Sequence, residues 1–181
     1  MKISIGNIVT VIICIVLLVA AVCVGAVRGW SDERSAALSA LTSTGDMRTQ
    51  LEYRGMDAAN LAVVAARHLP ADDADLTALQ EASRTLLSGT EDVPRILEAD
   101  AAITEAALRL SESLPQLSTV QASERDRAYI AMLTSSLGKK SSLTHAYALL
   151  VDDYNQRLTT SLTGKLAMLL GVDPLPATLE Q

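Results

Sequence analysis

The chain has 181 residues, of which 20% are charged and 49% hydrophobic, with a formal net charge of -6, a single Trp, four Tyr and no Phe. That length holds about one domain of ordinary size beside any membrane element. An acidic chain with no basic cluster lacks the concentrated Lys/Arg surface that a phosphate backbone requires, which sets nucleic-acid binding aside.

From Ile3 to Val27 the sequence ISIGNIVTVIICIVLLVAAVCVGAV carries no charge. Roughly 20 such residues at about 1.5 Å each span the ~30 Å hydrocarbon core, so a single-pass transmembrane helix is the reading of 1–29. A cleaved signal peptide is the competing reading, on Val24-Gly25-Ala26 after the basic Lys2, but the apolar run is too long for a usual leader. A lipobox at Cys23 is a third, with Val22 standing where a small residue belongs. Lys2 on one side against Arg28 and Arg34 on the other leaves orientation nearly tied by charge. Trp30 suits the interfacial belt, and Ser31-Asp32-Glu33-Arg34 marks the exit into water. Cys14 and Cys23 both lie in the apolar run and on opposite faces of a helix, so they cannot bridge within it.

Ser31 reads as an N-cap, and apolar residues recur through Leu38, Leu41, Leu51, Ala58, Leu61 and Ala65, predicting one long helix to about His68. Pro70 stops it. Asp72, Asp73 and Asp75 read as a capping cluster for a second helix to about Leu87, since the trio lacks the Gly and distal Glu of an EF-hand. Ser88-Gly89-Thr90 and Pro94 interrupt, and a third helix is predicted from about Arg95 to Ser113, before Pro115. From Ile130 an apolar stripe continues through Leu133, Leu137, Leu143, Tyr147, Leu150, Tyr154, Leu158 and Leu162. Within AYALLVDDYN, Tyr147 and Tyr154 stand seven apart, as inward knobs of a coiled-coil-like seam do. The prediction from the residues alone is therefore an all-α chain.

The end of that stripe resembles the LemA family of membrane-anchored bacterial proteins. Two Tyr-Asn pairs seven apart mark the family's last helix; here Tyr154-Asn155 is intact and the first pair survives as Tyr147-Ala148. YNQRLTTSLTGKLAMLLGVDP matches the family's ending without a gap, keeping Leu158, Ala167, Leu169, Gly171 and Pro174. The family's Phe-Pro is absent, with Ser161-Leu162 in its place, which predicts that the last helix runs on toward Leu170. LEYRGMDAANLAVV is similar to the family's first bundle helix through Arg54, Asn60 and Leu61, with Met56 and Ala59 departing from the pattern. SLPQL around Pro115 resembles a third, helix-starting element. The resemblance implies an antiparallel bundle of three long helices plus shorter pieces over 30–172, behind the anchor and before a tail at 173–181. It also implies an accessory or scaffold role, and it brings no catalytic residues.

No nucleophile can be paired with a base: G-x-S-x-G is absent, and His68 and His145 lie in unrelated contexts without an i+4 companion. His68 reads as a helix-end residue meeting terminal carbonyls, His145 as surface or rim. Leu137-Gly138-Lys139-Lys140-Ser141 is like the tail of a P-loop but lacks its first Gly and preceding strand. Arg54, Asp57, Asn60 and Arg67 form a polar seam with two readings: a solvated face with weak ion pairs, or a buried strip fixing register against the Tyr154 hydroxyl or Asn155. No metal, cofactor or catalytic residue is predicted. The expectation is a non-enzymatic interaction or scaffold protein at the bacterial membrane, its bundle on the cytoplasmic side, with an exposed face near Arg48, Glu52 and Arg67 and the apolar KLAMLLGV as candidate partner contacts. A protein partner is expected and self-association is left open. The alternative is a small-ligand-binding or sensory bundle.

Overall fold

The computed structural model of the chain describes residues 5–42, 46–139 and 142–176. Among these the fold is all-α, with eight α-helices, one short 3₁₀ turn at Leu114–Gln116 and no strand. The first helix, α1, runs Ile5–Thr42 without interruption. Ser31 therefore lies inside a helix and caps nothing. The reason is local: between Val27 and Leu38 there is no Pro, and a helix already propagating adds each residue at little cost. The predicted long helix to His68 is instead the end of α1 and a separate α2, Asp46–Ala65. Within α1, Val9–Ser39 is long and apolar enough to cross a membrane, with a window of mean hydropathy 3.1 of which 6% is buried. Lys2 lies outside the described residues.

By its internal contacts the chain divides into two compact units, Met1–Ala37 with Leu150–Leu175, and Leu38–Leu149 with Pro176–Gln181. In the second unit, α2, α3 (Ala74–Leu87), α4 (Val93–Ser113) and α6 (Glu124–Leu137) each pack on two neighbours in the cyclic order α2, α3, α4, α6. Short connections between successive helices make this an up-and-down four-helix arrangement. Its ends follow from the sequence. Asp73 accepts from the backbone N–H of Asp75 and Leu76 to cap α3, so the acidic trio is a cap as predicted. Asp92 caps α4 with Pro94 in its first turn, where Pro is tolerated. Ser123 caps α6, after a one-turn α5 at Ser118–Gln121. The core is aliphatic: Leu51, Leu61, Leu76, Leu79, Leu86, Ile96, Ile103, Leu110 and Leu114 are all buried. At Gly55 the α2 backbone comes so close to α3 that an added Cβ would stand 3.1 Å from Leu86 Cβ.

The apolar stripe from Ile130 is not one helix. α6 ends at Leu137 with Gly138 as C-cap, and α7 is a new helix, Ser142–Thr160. Lys140 and Ser141, of the P-loop-like fragment, lie outside the described residues, as does the Leu143 side chain. The stripe also ends earlier than predicted. Ser161 caps a further helix, α8 (Leu162–Leu169), by accepting from the Gly164 N–H, and Leu162 is exposed. The last helix thus breaks where the family's Phe-Pro would stand, and Ser161 supplies the break.

In the first unit, Tyr154 and Leu158 of α7 are buried with Ala26 and Ala37 of α1 and Ala167 of α8. The end of α8 is a Schellman motif: Val172 N–H donates to the Ala167 carbonyl and Gly171 N–H to that of Met168. The motif needs a left-handed residue at Gly171, whose φ is +96°.

Candidate functional site

Arg54 is the centre of the polar chemistry in the four-helix unit. Its side chain is 12% exposed, and its Nε–H donates at 2.5 Å to the Oδ1 of Asp100, itself 3% exposed. Nη2 donates to the Thr104 hydroxyl at 2.5 Å and to the Leu137 carbonyl at 2.8 Å. One guanidinium on α2 therefore holds a carboxylate of α4 and the last carbonyl of α6. That is the buried, register-fixing reading of the seam, but with other partners: Tyr154 and Asn155 lie in the other unit. Asp100 and Thr104 were missed in the sequence. The available signal was Asp100 itself, an acid on the apolar face of α4 between Ile96 and Ile103, where burial requires a partner.

The other members of the seam do not join it. Asn60 is exposed, while Leu61 beside it is fully buried. Arg67 is 57% exposed and meets Asp126 Oδ1 at 3.1 Å, a screened pair worth about 0.2–1 kcal/mol. His68 turns to the same carboxylate, with Nε2 at 3.1 Å from Asp126 Oδ2, so it packs on α6 and not on terminal carbonyls. His145 is exposed.

Arg48 corrects the expected contact face. It is 5% exposed, and its guanidinium donates to the Leu86 carbonyl at 3.1 Å, the Thr90 carbonyl at 3.3 Å and Glu52 at 2.9 Å. The Leu86 carbonyl lies in the last turn of α3 and Thr90 just beyond it, so the negative end of the helix draws the cation inward. Of the expected interaction residues, Glu52 and Arg67 present half-exposed side chains and Arg48 does not.

Both tyrosines are buried, Tyr147 at 0% and Tyr154 at 1% exposure, each in its own unit. Tyr154 donates its hydroxyl to the Trp30 carbonyl at 3.2 Å and meets the indole edge-on, centroids 5.5 Å apart. Arg157 stacks over the same indole and pairs with Glu33 and Asp153. Burial raises the Tyr154 phenol above the ordinary tyrosine range, which disfavours the phenolate a catalytic tyrosine would use. Asn155 clamps the chain after α8: its Nδ2 donates to the Leu175 carbonyl at 3.0 Å, and its Oδ1 accepts from the Leu175 N–H at 2.9 Å.

A groove of about 560 Å³ lies between α4 and α6, floored by Leu108, Val120, Ile130 and Ala131 and flanked by Arg127 and Lys139. None of the α2 seam residues lines it. Among the described residues no three His, Cys, Asp or Glu side chains gather as a metal site would require. Set against family models, curated proteins and solved structures, the chain matches none of them.

Proposed function

We propose that the chain is a membrane-anchored interaction or scaffold protein without catalytic activity, a divergent LemA-like member held in a bacterial membrane by an uncleaved α1, with its bundle on the cytoplasmic side. The observation that carries this is the division of labour among its polar groups. Arg48, Arg54, His68, Tyr154 and Asn155 are all engaged in holding helices or chain ends, while the apolar part of α1 stands exposed. The intact Tyr154-Asn155 pair and Gly171 take structural roles that suit the family resemblance. Confinement to a plane then raises encounter rates with partners in the same membrane.

Crosslinking in native membranes, followed by mass spectrometry, is the test. Recovery of one specific partner, together with an intact N-terminus and a Ser31→Cys variant protected from an impermeant thiol reagent, supports the reading. A mature N-terminus near Val27, or labelling of Ser31→Cys in intact cells, removes the anchor or reverses the orientation. The α4/α6 groove favours a second reading, a small-ligand-binding bundle, because its volume falls in the range of ligand sites and two cations flank an apolar floor. Micromolar binding of a metabolite by the purified chain, without any partner captured, would put that reading first.

A further inference from the structure

The short helix α8 presents to solvent what a water-soluble surface rarely does. Leu162 is 86% exposed and Leu169 85%, with Met168 and Leu170 also uncovered. Its inner side is apolar as well, through the buried Ala167 and Gly164. Apart from the exposed Thr163 and Lys165, apolar residues thus lie on both its inner and outer sides, as suits a helix set in a core or against lipid. A patch of this kind on a short helix marks a contact surface.

The place of α8 in its unit says what the contact is. Just before it, Arg157 is paired with Glu33 of α1; just after it, the Asp173 carbonyl accepts from Arg34 Nε–H at 3.1 Å. Both ends of α8 are therefore tied to adjacent residues of α1, at the point where its apolar run gives way to charge. With 8 residues, α8 is about 12 Å long and cannot stray far from those ties. Ala26, inside the apolar run, is buried although Gly25 and Arg28 are exposed, and within this unit only Leu150–Leu175 is available to cover it. The chain around α8 thus reaches the level at which α1 becomes apolar.

We propose that α8 is an interfacial element that inserts Leu162, Met168, Leu169 and Leu170 into the acyl boundary of the bilayer crossed by α1. Lys165, exposed on the same helix, extends toward lipid headgroups as a long cationic side chain does at such a boundary. The inference rests on the membrane-anchored reading of α1. Its consequence is that the protein holds the membrane at two places, a span and an adjoining in-plane helix.

The test uses the full chain with Cys14→Ala and Cys23→Ala, reconstituted in vesicles of phosphatidylcholine and phosphatidylglycerol. Spin labels are placed one at a time at Leu162→Cys, Leu169→Cys, Val16→Cys in the apolar run and Asp152→Cys on α7. Collision with oxygen, which partitions into lipid, is compared with collision with a nickel chelate, which stays in water. The Leu162 and Leu169 labels should favour oxygen over nickel several-fold relative to Asp152, with Val16 deeper still. Val16 in lipid with Leu162 and Leu169 in water overturns the α8 proposal and leaves the anchor standing. Labels at Leu162 and Leu169 shielded from both reagents also overturn it, since protein and not lipid would then cover the face. Val16 in water removes the anchor and this proposal with it.

Discussion

Replacing Arg54 by Met should be among the most damaging single changes in the four-helix unit. The guanidinium makes three bonds of 2.8 Å or less, to Asp100, Thr104 and the Leu137 carbonyl. Its loss takes the guanidinium away from a carboxylate that is 3% exposed. Breaking one side of a buried pair costs about 3–5 kcal/mol, because the remaining charge keeps its desolvation penalty without its partner. Asp100→Leu should cost a similar amount by stranding the guanidinium. The double variant Arg54→Met/Asp100→Leu should return to within about 1 kcal/mol of the parent, since removing both charges removes the penalty. Hydrogen exchange of the slowest α2 and α4 amides, measured by mass spectrometry on the full chain in detergent, reads the opening free energy directly. Single variants within about 0.5 kcal/mol of the parent, or a double variant as damaged as the two singles combined, would refute the buried-pair reasoning.

Gly55→Ala should destabilise by about 1–3 kcal/mol through overpacking, as its Cβ would meet Leu86 and Leu87 at 3.1 to 3.3 Å. Gly29→Ala, with nothing within 4 Å, should be harmless in the same exchange measurement. Tyr154→Ala should cost about 3–5 kcal/mol and Tyr154→Phe about 1 kcal/mol, read from the Trp30 emission during urea unfolding. The raised Tyr154 phenol binds its proton more tightly folded than unfolded, so its contribution is complete below the ordinary tyrosine value and is lost as pH rises through the folded one. Tyr154→Phe should accordingly flatten the fall in stability above about pH 10, and an unchanged slope would count against a buried phenol. Asn155→Ala should release the segment after α8, seen as faster proteolysis around Val172 to Leu175 with α7 still protected.

Much of the helix map was legible because its punctuation is local. Pro70, Asp73 and Pro115 act within a few residues, and the predicted boundaries near them agree with α3 and α4 to within about two positions. The breaks at Gly138 and Ser161 were hidden because the apolar phase continues across them: a stripe reports which face is buried, not whether the backbone stays helical. The course of α1 past Ser31 was hidden for the converse reason, since a good capping residue inside a propagating helix simply remains in it. Arg54 was recognisable as a seam residue, but its partner is 46 positions away, and only tertiary packing joins them. Arg48 was misplaced because an arginine drawn in by a helix terminus has the same local sequence as one in water.

The unbroken course of α1 makes the protein a lever. A loop between anchor and water-side helix would let each move alone; here Trp30, on which Tyr154 packs, belongs to the same helix as the exposed apolar residues from Val9 onward. From Val9 to Ala37 that rod is roughly 42 Å long, so a 10° change in tilt displaces its water-side end by ~7 Å. Tilt is how an apolar helix adjusts to bilayer thickness. Were α1 to span a membrane, a change in its tilt would carry Trp30, and with it the contacts to Tyr154 and Arg157, at its water-side end.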